Sequence, residues 1–194
     1  MTRRPPFPSS LSRGGTAAAA LAAVLTASSA ARAVEREHHL GADLGGSALI
    51  VDDKSSPDIG PSLGAHYAYG LNDTFNLMVE GAFSLASTTD KPAPKTANDR
   101  PAWLASAEVG VGYVFDVMQW VPYAGLLVGA DALSGGTLTQ GKILPDFVIA
   151  LGMDYRLSRS VAVGAALRQH MVTEASTYPS FTQAFARVEY TWGW

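Results

Sequence analysis

Four histidines, seventeen carboxylates and fourteen lysines and arginines are spread over 194 residues that include no cysteine. Disulfides, thiol nucleophiles and thiolate metal sites are therefore excluded. His38 and His39 are adjacent, so on a strand their rings point to opposite faces and cannot readily share a metal. They stand where the first strand begins, and solvated side chains are expected there. The runs LGADLGG, VGVGY and LLVGADALSGG imitate the glycine spacing of nucleotide-binding turns, but no strand–helix–strand context accompanies them. Room for curvature and for bulky inner groups is the better account of these glycines. No cofactor and no metal ligand set is predicted. What remains is a set of charges inside otherwise apolar segments: Asp43, Glu80, Glu108, Asp131, Asp154, Arg156, Arg168, Arg187 and Glu189. Such a set makes a gate, a proton path or a polar plug, and the elements carrying it decide which.

Those elements alternate with period two. In TFNLMVEGAFSL (74–85), Phe75, Leu77, Val79, Phe83 and Leu85 share one face, and Asn76, Met78, Glu80, Ala82 and Ser84 share the other. WLASAEVGVGYVFD (103–116) repeats the pattern, which is that of a strand and not of a helix. Eight strands are predicted, near 38–50, 62–71, 74–86, 103–116, 120–133, 144–157, 160–172 and 182–194. Tight turns at Asn72-Asp73, 117–119 and Ser158-Arg159 alternate with longer links rich in Asp, Ser, Thr, Pro and Gly. Short and long connections in strict alternation put all tight turns at one end of an antiparallel meander. Pro122 and Pro145 fall near strand starts, where a missing ladder donor matters least.

The faces identify the solvent. Large apolar residues, Leu44, Leu63, Leu126, Ile149 and Leu151 among them, occupy one face, on which Gln169 is the conspicuous polar member. The charged set, with His66, His170 and many glycines, occupies the other. Eight strands enclose a lumen only wide enough for side chains, so small and polar residues form the inner set. The large residues then face outward, which only lipid makes favourable. A transmembrane eight-stranded antiparallel up-and-down β-barrel, all-β, is the predicted fold. Closure is required, because unpaired backbone groups in hydrocarbon cost several kcal/mol each. The acids outnumber the arginines, so some carboxylates are expected to be protonated or to reach water at the rims. Gly110 faces inward in this register and is expected to tolerate serine.

The two ends of the chain agree with a membrane destination. Residues 1–33 run from a basic start (Arg3, Arg4, Arg13) through TAAAALAAVLTASSA to Ala31-Arg32-Ala33, the anatomy of a secretory signal peptide. Pro-Pro after Arg3-Arg4 points to general secretion instead of twin-arginine export. Without that segment, which carries four of the fourteen basic residues and none of the seventeen acids, ten bases face seventeen acids, a net of −7. That balance argues against nucleic-acid binding. Residues 34–194 are expected to form one barrel domain. At the other end, Val188, Tyr190, Trp192 and Trp194 form an apolar row opposite Arg187, Glu189 and Thr191.

Signal segment, eight alternating strands, turn rhythm and the terminal VEYTWGW resemble the small outer-membrane barrels of the OmpA/OmpX kind. The resemblance implies an outer-membrane location, with strand ends and tight turns in the periplasm and long loops outside the cell. Lipid and lipopolysaccharide are the implied surroundings, the aromatic terminus is the implied signal for the barrel-assembly machinery, and a monomer is expected. Nothing follows strand eight, so no peptidoglycan-binding domain is expected. The leading function is a filled, non-enzymatic barrel with a structural or surface-contact role. A narrow OmpW-like channel for small hydrophobic or ionic solutes is the alternative. A lipid A-modifying enzyme is a third reading, since small barrel deacylases pair a histidine with a nearby serine; in RQHMVTEAS, however, the residue two beyond His170 is Val172. The loop 87–101, with Asp90, Lys91, Lys95, Asp99 and Arg100, is expected to be exposed. Tyr69, Phe75, Tyr113, Phe115, Trp120, Tyr155 and Trp192 are expected to form an aromatic girdle at the tight-turn end.

Overall fold

A computed structural model describes residues 36–51, 56–86, 100–115, 119–174, 176–178 and 180–193. The predicted signal segment, most of the 87–101 loop and Trp194 lie outside these residues. Eight strands follow one another: β1 (His38–Ile50), β2 (Asp58–Gly70), β3 (Phe75–Leu85), β4 (Trp103–Val114), β5 (Trp120–Ser134), β6 (Lys142–Arg156), β7 (Val161–Val172) and β8 (Ser180–Trp192). Each pairs antiparallel with the next, and β8 pairs with β1 from His38↔Trp192 to Ile50↔Ser180, closing the barrel. Strands of 11 to 15 residues meet or exceed the ~9–11 that a tilted strand needs to cross hydrocarbon.

Local chemistry sets the tight turns. The Asn72 side-chain oxygen accepts from the backbone N–H of Thr74 and of Phe75, both at 2.9 Å. Ser158 Oγ accepts likewise from Ser160 and Val161 at 3.2 and 3.1 Å. Each side chain stands in for a missing backbone partner and reverses the chain in two residues. One boundary differs from the sequence reading. β2 begins at Asp58, not at 62, so Asp58-Ile59-Gly60-Pro61 is strand although its glycine and proline read as loop. These residues pair with β1 alone, because the β2–β3 ladder starts at Ser62↔Ser84. A proline without a donor is tolerated where one neighbour is absent.

Exposure follows the period-two register. Leu44 is 72% exposed and Ile149 38%, while their inward counterparts Asp43 and Ala150 are buried. Aromatic rings gather at the tight-turn end: Phe75 against Tyr113 (5.3 Å between centroids), Tyr113 against Phe115 (4.4 Å) and Trp120 against Tyr155 (4.8 Å). His38 stacks on Trp192 at 5.3 Å and packs beside Tyr69 at 5.0 Å. Toward the loop end Phe83 and Trp103 make a separate pair. Amphipathic rings favour the headgroup level, so this girdle marks one membrane interface.

Inside, the wall thins to admit bulk. A β-carbon on Gly152 would lie 2.3 Å from the Tyr123 ring, which fills that space. Gly110 overturns the expectation attached to it. A β-carbon there would sit 2.1 Å from the Leu126 carbonyl oxygen and 2.5 Å from Leu127 Cα, so the obstacle is the backbone of β5. Serine at this position has no room, whichever face it points to.

Val109 and Leu151 are both exposed on the lipid face near mid-strand. Val109→Arg and Leu151→Arg are each expected to cost ~2–4 kcal/mol in urea-induced unfolding from lipid vesicles. Gly110→Ser is expected to cost ~1–3 kcal/mol by overpacking. Arginine tolerated at both outward sites would contradict a lipid-facing surface.

Candidate functional site

The lumen is the chemically distinctive part of the molecule, because closure brings charges from distant strands onto one axis. In the half nearer the tight turns, two arginines organise the acids. Arg168 on β7 places Nη2 2.7 Å from Asp43 Oδ2 and Nε 2.6 Å from Glu80 Oε2, all three side chains almost fully buried. The Glu80 approach is an ion-pair contact without hydrogen-bond alignment. Arg187 on β8 places Nη2 3.2 Å from Glu189 Oε2 and Nε 3.4 Å from Asp154 Oδ1, and its Nη1 donates to the Tyr123 hydroxyl. His66 bridges the two groups, with Nδ1 3.0 Å from Asp43 Oδ1 and Nε2 3.2 Å from Glu189 Oε2. Phe185 and Tyr123 lie flat beneath the Arg168 and Arg187 guanidinium groups at 4.7 and 5.0 Å. Planar guanidinium suits this double duty of forked donation and stacking.

Nearer the loops the balance of charge changes. Glu108, Asp131 and Asp146, from β4, β5 and β6, converge on His170 of β7. His170 Nδ1 lies 2.8 Å from Asp146 Oδ2, 3.6 Å from Asp131 Oδ2 and 3.9 Å from Glu108 Oε1. The other ring nitrogen, Nε2, is 3.1 Å from Gln183 Oε1, and Gln183 Nε2 donates to Ser84 Oγ at 3.0 Å. Above this cluster Leu49, Val51, Leu104, Leu133, Leu144, Val172, Tyr178 and Phe181 pack into an apolar layer under the loop end. At the opposite mouth a cavity of about 40 Å³, lined by His39, Tyr123, Asp154, Arg156, Arg187 and Glu189 among others, holds at most a few waters.

All nine charged residues singled out in the sequence lie on inward-facing strand positions. Arg156 stands at the mouth, half-buried, and lines the cavity there with Asp154, Arg187 and Glu189. Two expectations change. His39 is not solvated: it is buried, and its Nδ1 lies 2.8 Å from Glu189 Oε1, while His38 points outward and its Nδ1 meets the Tyr67 hydroxyl at 2.8 Å. The expectation that excess acids be protonated or reach a rim is narrowed: Glu108, Asp131 and Asp146 are buried and do not reach a rim. Sequence reasoning passed over Asp146, Tyr123 and Gln183. Parity with Phe147 and Ile149 places Asp146 inside, so that signal was available. Gln169, the polar residue of the lipid face, is satisfied by donating to Ser180 Oγ and accepting from the Thr182 hydroxyl.

A closed antiparallel barrel, apolar outside and ionic within, is a transmembrane β-barrel. Residues 17–191 match the outer membrane protein beta-barrel domain, and the chain belongs to that family. It is an integral protein of the outer membrane. Neisserial surface protein A superposes with a TM-score of 0.61 at 16% identity, covering 82% of this chain and 99% of that one. Ail, the attachment invasion locus protein of Yersinia pestis, gives 0.58 at 12% identity, over 82% and 100% of the two chains. OprG of Pseudomonas aeruginosa gives 0.55 at 10%, over 82% and 98%. At such identities the likeness is one of fold. No curated protein matches by sequence.

Arg168 holds two almost fully buried carboxylates, so its loss leaves buried charge uncompensated. Arg168→Met is expected to destabilise the folded barrel by ~3–5 kcal/mol. Adding Asp43→Asn and Glu80→Gln to that variant is expected to recover most of the loss, read as urea midpoints in detergent. A triple variant no better than Arg168→Met would show that packing, not charge, is what Arg168 supplies.

Proposed function

We propose that this protein is a closed, non-enzymatic outer-membrane barrel acting through its rigid wall and its loop-end surface, in a structural or surface-contact role. One observation carries the reading: the lumen is filled by interlocked side chains. Arg168, Asp43 and Glu80 are buried mid-barrel, an apolar layer lies under the loops, and the mouth cavity of about 40 Å³ is too small for a solute. Such an interior stiffens the wall and leaves the loops as the variable surface. Ail, which shares the fold, is an attachment invasion locus protein and has been crystallised with the heparin analogue sucrose octasulfate.

In this reading residues 1–33 direct export and are removed. The tight-turn girdle lies at the periplasmic interface, and lipopolysaccharide surrounds the loop end. The row Val188, Tyr190, Trp192 and Trp194 serves the barrel-assembly machinery during insertion of a monomer. Lipid A chemistry is disfavoured because His170 is buried inside the wall, with its ring nitrogens toward Asp146 and Gln183 and away from lipid. The OmpW-like channel is separated from the closed barrel by planar-bilayer recording. The purified protein is expected to give no discrete conductance steps at moderate voltage. Reproducible, ion-selective steps that persist at single-molecule dilution would replace the closed barrel with a narrow channel.

A further inference from the structure

We propose that Glu108, Asp131, Asp146 and His170 form an intramembrane site for one divalent transition cation of the zinc type. Each residue offers one donor atom, and the four donors lie within 4.8 Å of one another, all on buried side chains. A tetrahedral ion with bonds of about 2.1 Å needs donors roughly 3.4 Å apart. Small side-chain rotations therefore close the site without moving the strands.

Three features point to an ion. The first is charge. Arg168 and Arg187 are engaged by Asp43 and Glu80 and by Asp154 and Glu189, and the three carboxylates here have His170 as their ion-pair partner. Ionised together in a buried interior, these acids need a compensating positive charge, which a bound cation supplies. The second is Asp131, 0% exposed, whose two oxygens are without a hydrogen-bond partner. A buried carboxylate aimed into a cluster, with His170 Nδ1 at 3.6 Å and neither oxygen hydrogen-bonded, can turn to serve as a ligand.

The third is the direction of the chain of hydrogen bonds behind His170. Ser62 Oγ donates to the Phe83 carbonyl oxygen and lies 2.7 Å from Ser84 Oγ. Ser84 then donates to Ser62 and accepts from Gln183 Nε2, which turns Gln183 Oε1 toward His170 Nε2. The Nε2 proton is thereby fixed on the Gln183 side. Nδ1 faces the three carboxylates, and a cation entering there would take the place of the proton it shares with Asp146 Oδ2 at 2.8 Å. An outer hydrogen bond that sets the tautomer is how proteins prepare a histidine for a metal. Mixed imidazole and carboxylate donors suit zinc and its neighbours, whereas calcium and magnesium take oxygen alone.

The test uses the full barrel, freed of metal by chelator under denaturing conditions and refolded in detergent with zinc chloride, cobalt chloride or magnesium chloride. Elemental analysis after desalting is expected to find about one zinc per chain, and cobalt is expected to give d–d absorption typical of nitrogen and oxygen donors. Zinc, and not magnesium, should raise the urea midpoint. Asp131→Asn, nearly isosteric, should fold and lose at least tenfold in zinc affinity, while Glu174→Gln at the loop end should bind as the parent does. Metal content unchanged in Asp131→Asn would overturn the site, and so would a parent chain that retains no zinc after refolding in its presence. Equal stabilisation by magnesium would overturn the role of His170.

Discussion

The structure depends on one constraint: hydrocarbon offers no partner for a backbone N–H or C=O. A meander of eight strands has two edges, and in lipid both must vanish, so β8 must find β1. That pairing, continuous from His38↔Trp192 to Ile50↔Ser180, converts an open sheet into a wall whose outer face contacts only lipid. The inverted distribution of residues follows. Leucine, isoleucine and aromatic side chains become favourable outside, and the inner face becomes the sole place for charge.

Closure then creates a second problem and the means to solve it. The lumen is too narrow for bulk water, so every charge placed there needs a partner, and the circular arrangement supplies partners far apart in sequence. His39 meets Glu189, and Asp43 meets Arg168, across nearly the whole chain. In the tight-turn half two arginines and two histidines contact the acids. In the loop half three carboxylates have His170 as their ion-pair partner, and the apolar layer of Leu49, Val51, Tyr178 and Phe181 keeps that cluster away from external water. Rigidity, closure and the proposed cation site are thus consequences of the same geometry.

Period-two alternation made the fold legible from the chain alone. Phe75, Leu77 and Val79 against Asn76, Met78 and Glu80 specify a strand and its two faces without reference to any neighbour. What stayed hidden depends on neighbours. Pro61 reads as loop until β2 is seen to pair on one side only. Gly110 reads as a spacious inward position until the β5 backbone is found against it. Asp146, within the predicted strand 144–157, lies inside by parity with Phe147 and Ile149, but its partners come from other strands. The convergence of Glu108, Asp131, Asp146 and His170 depends on strand stagger, which no one segment encodes.

The central claim is an inside-out barrel with a filled interior, and β6 tests both halves at once. The chain has no cysteine, so single cysteines can be placed at each position from Phe147 to Leu151 and at Met153, and spin-labelled in lipid bilayers. Collision with oxygen, which partitions into lipid, is then compared with collision with a water-soluble nickel chelate. High oxygen accessibility at 147, 149, 151 and 153, with neither reagent reaching 148 and 150, is the predicted result. Nickel access at 148 and 150 would mean a water-filled channel, and oxygen access in the opposite phase would mean that the barrel is not inside out.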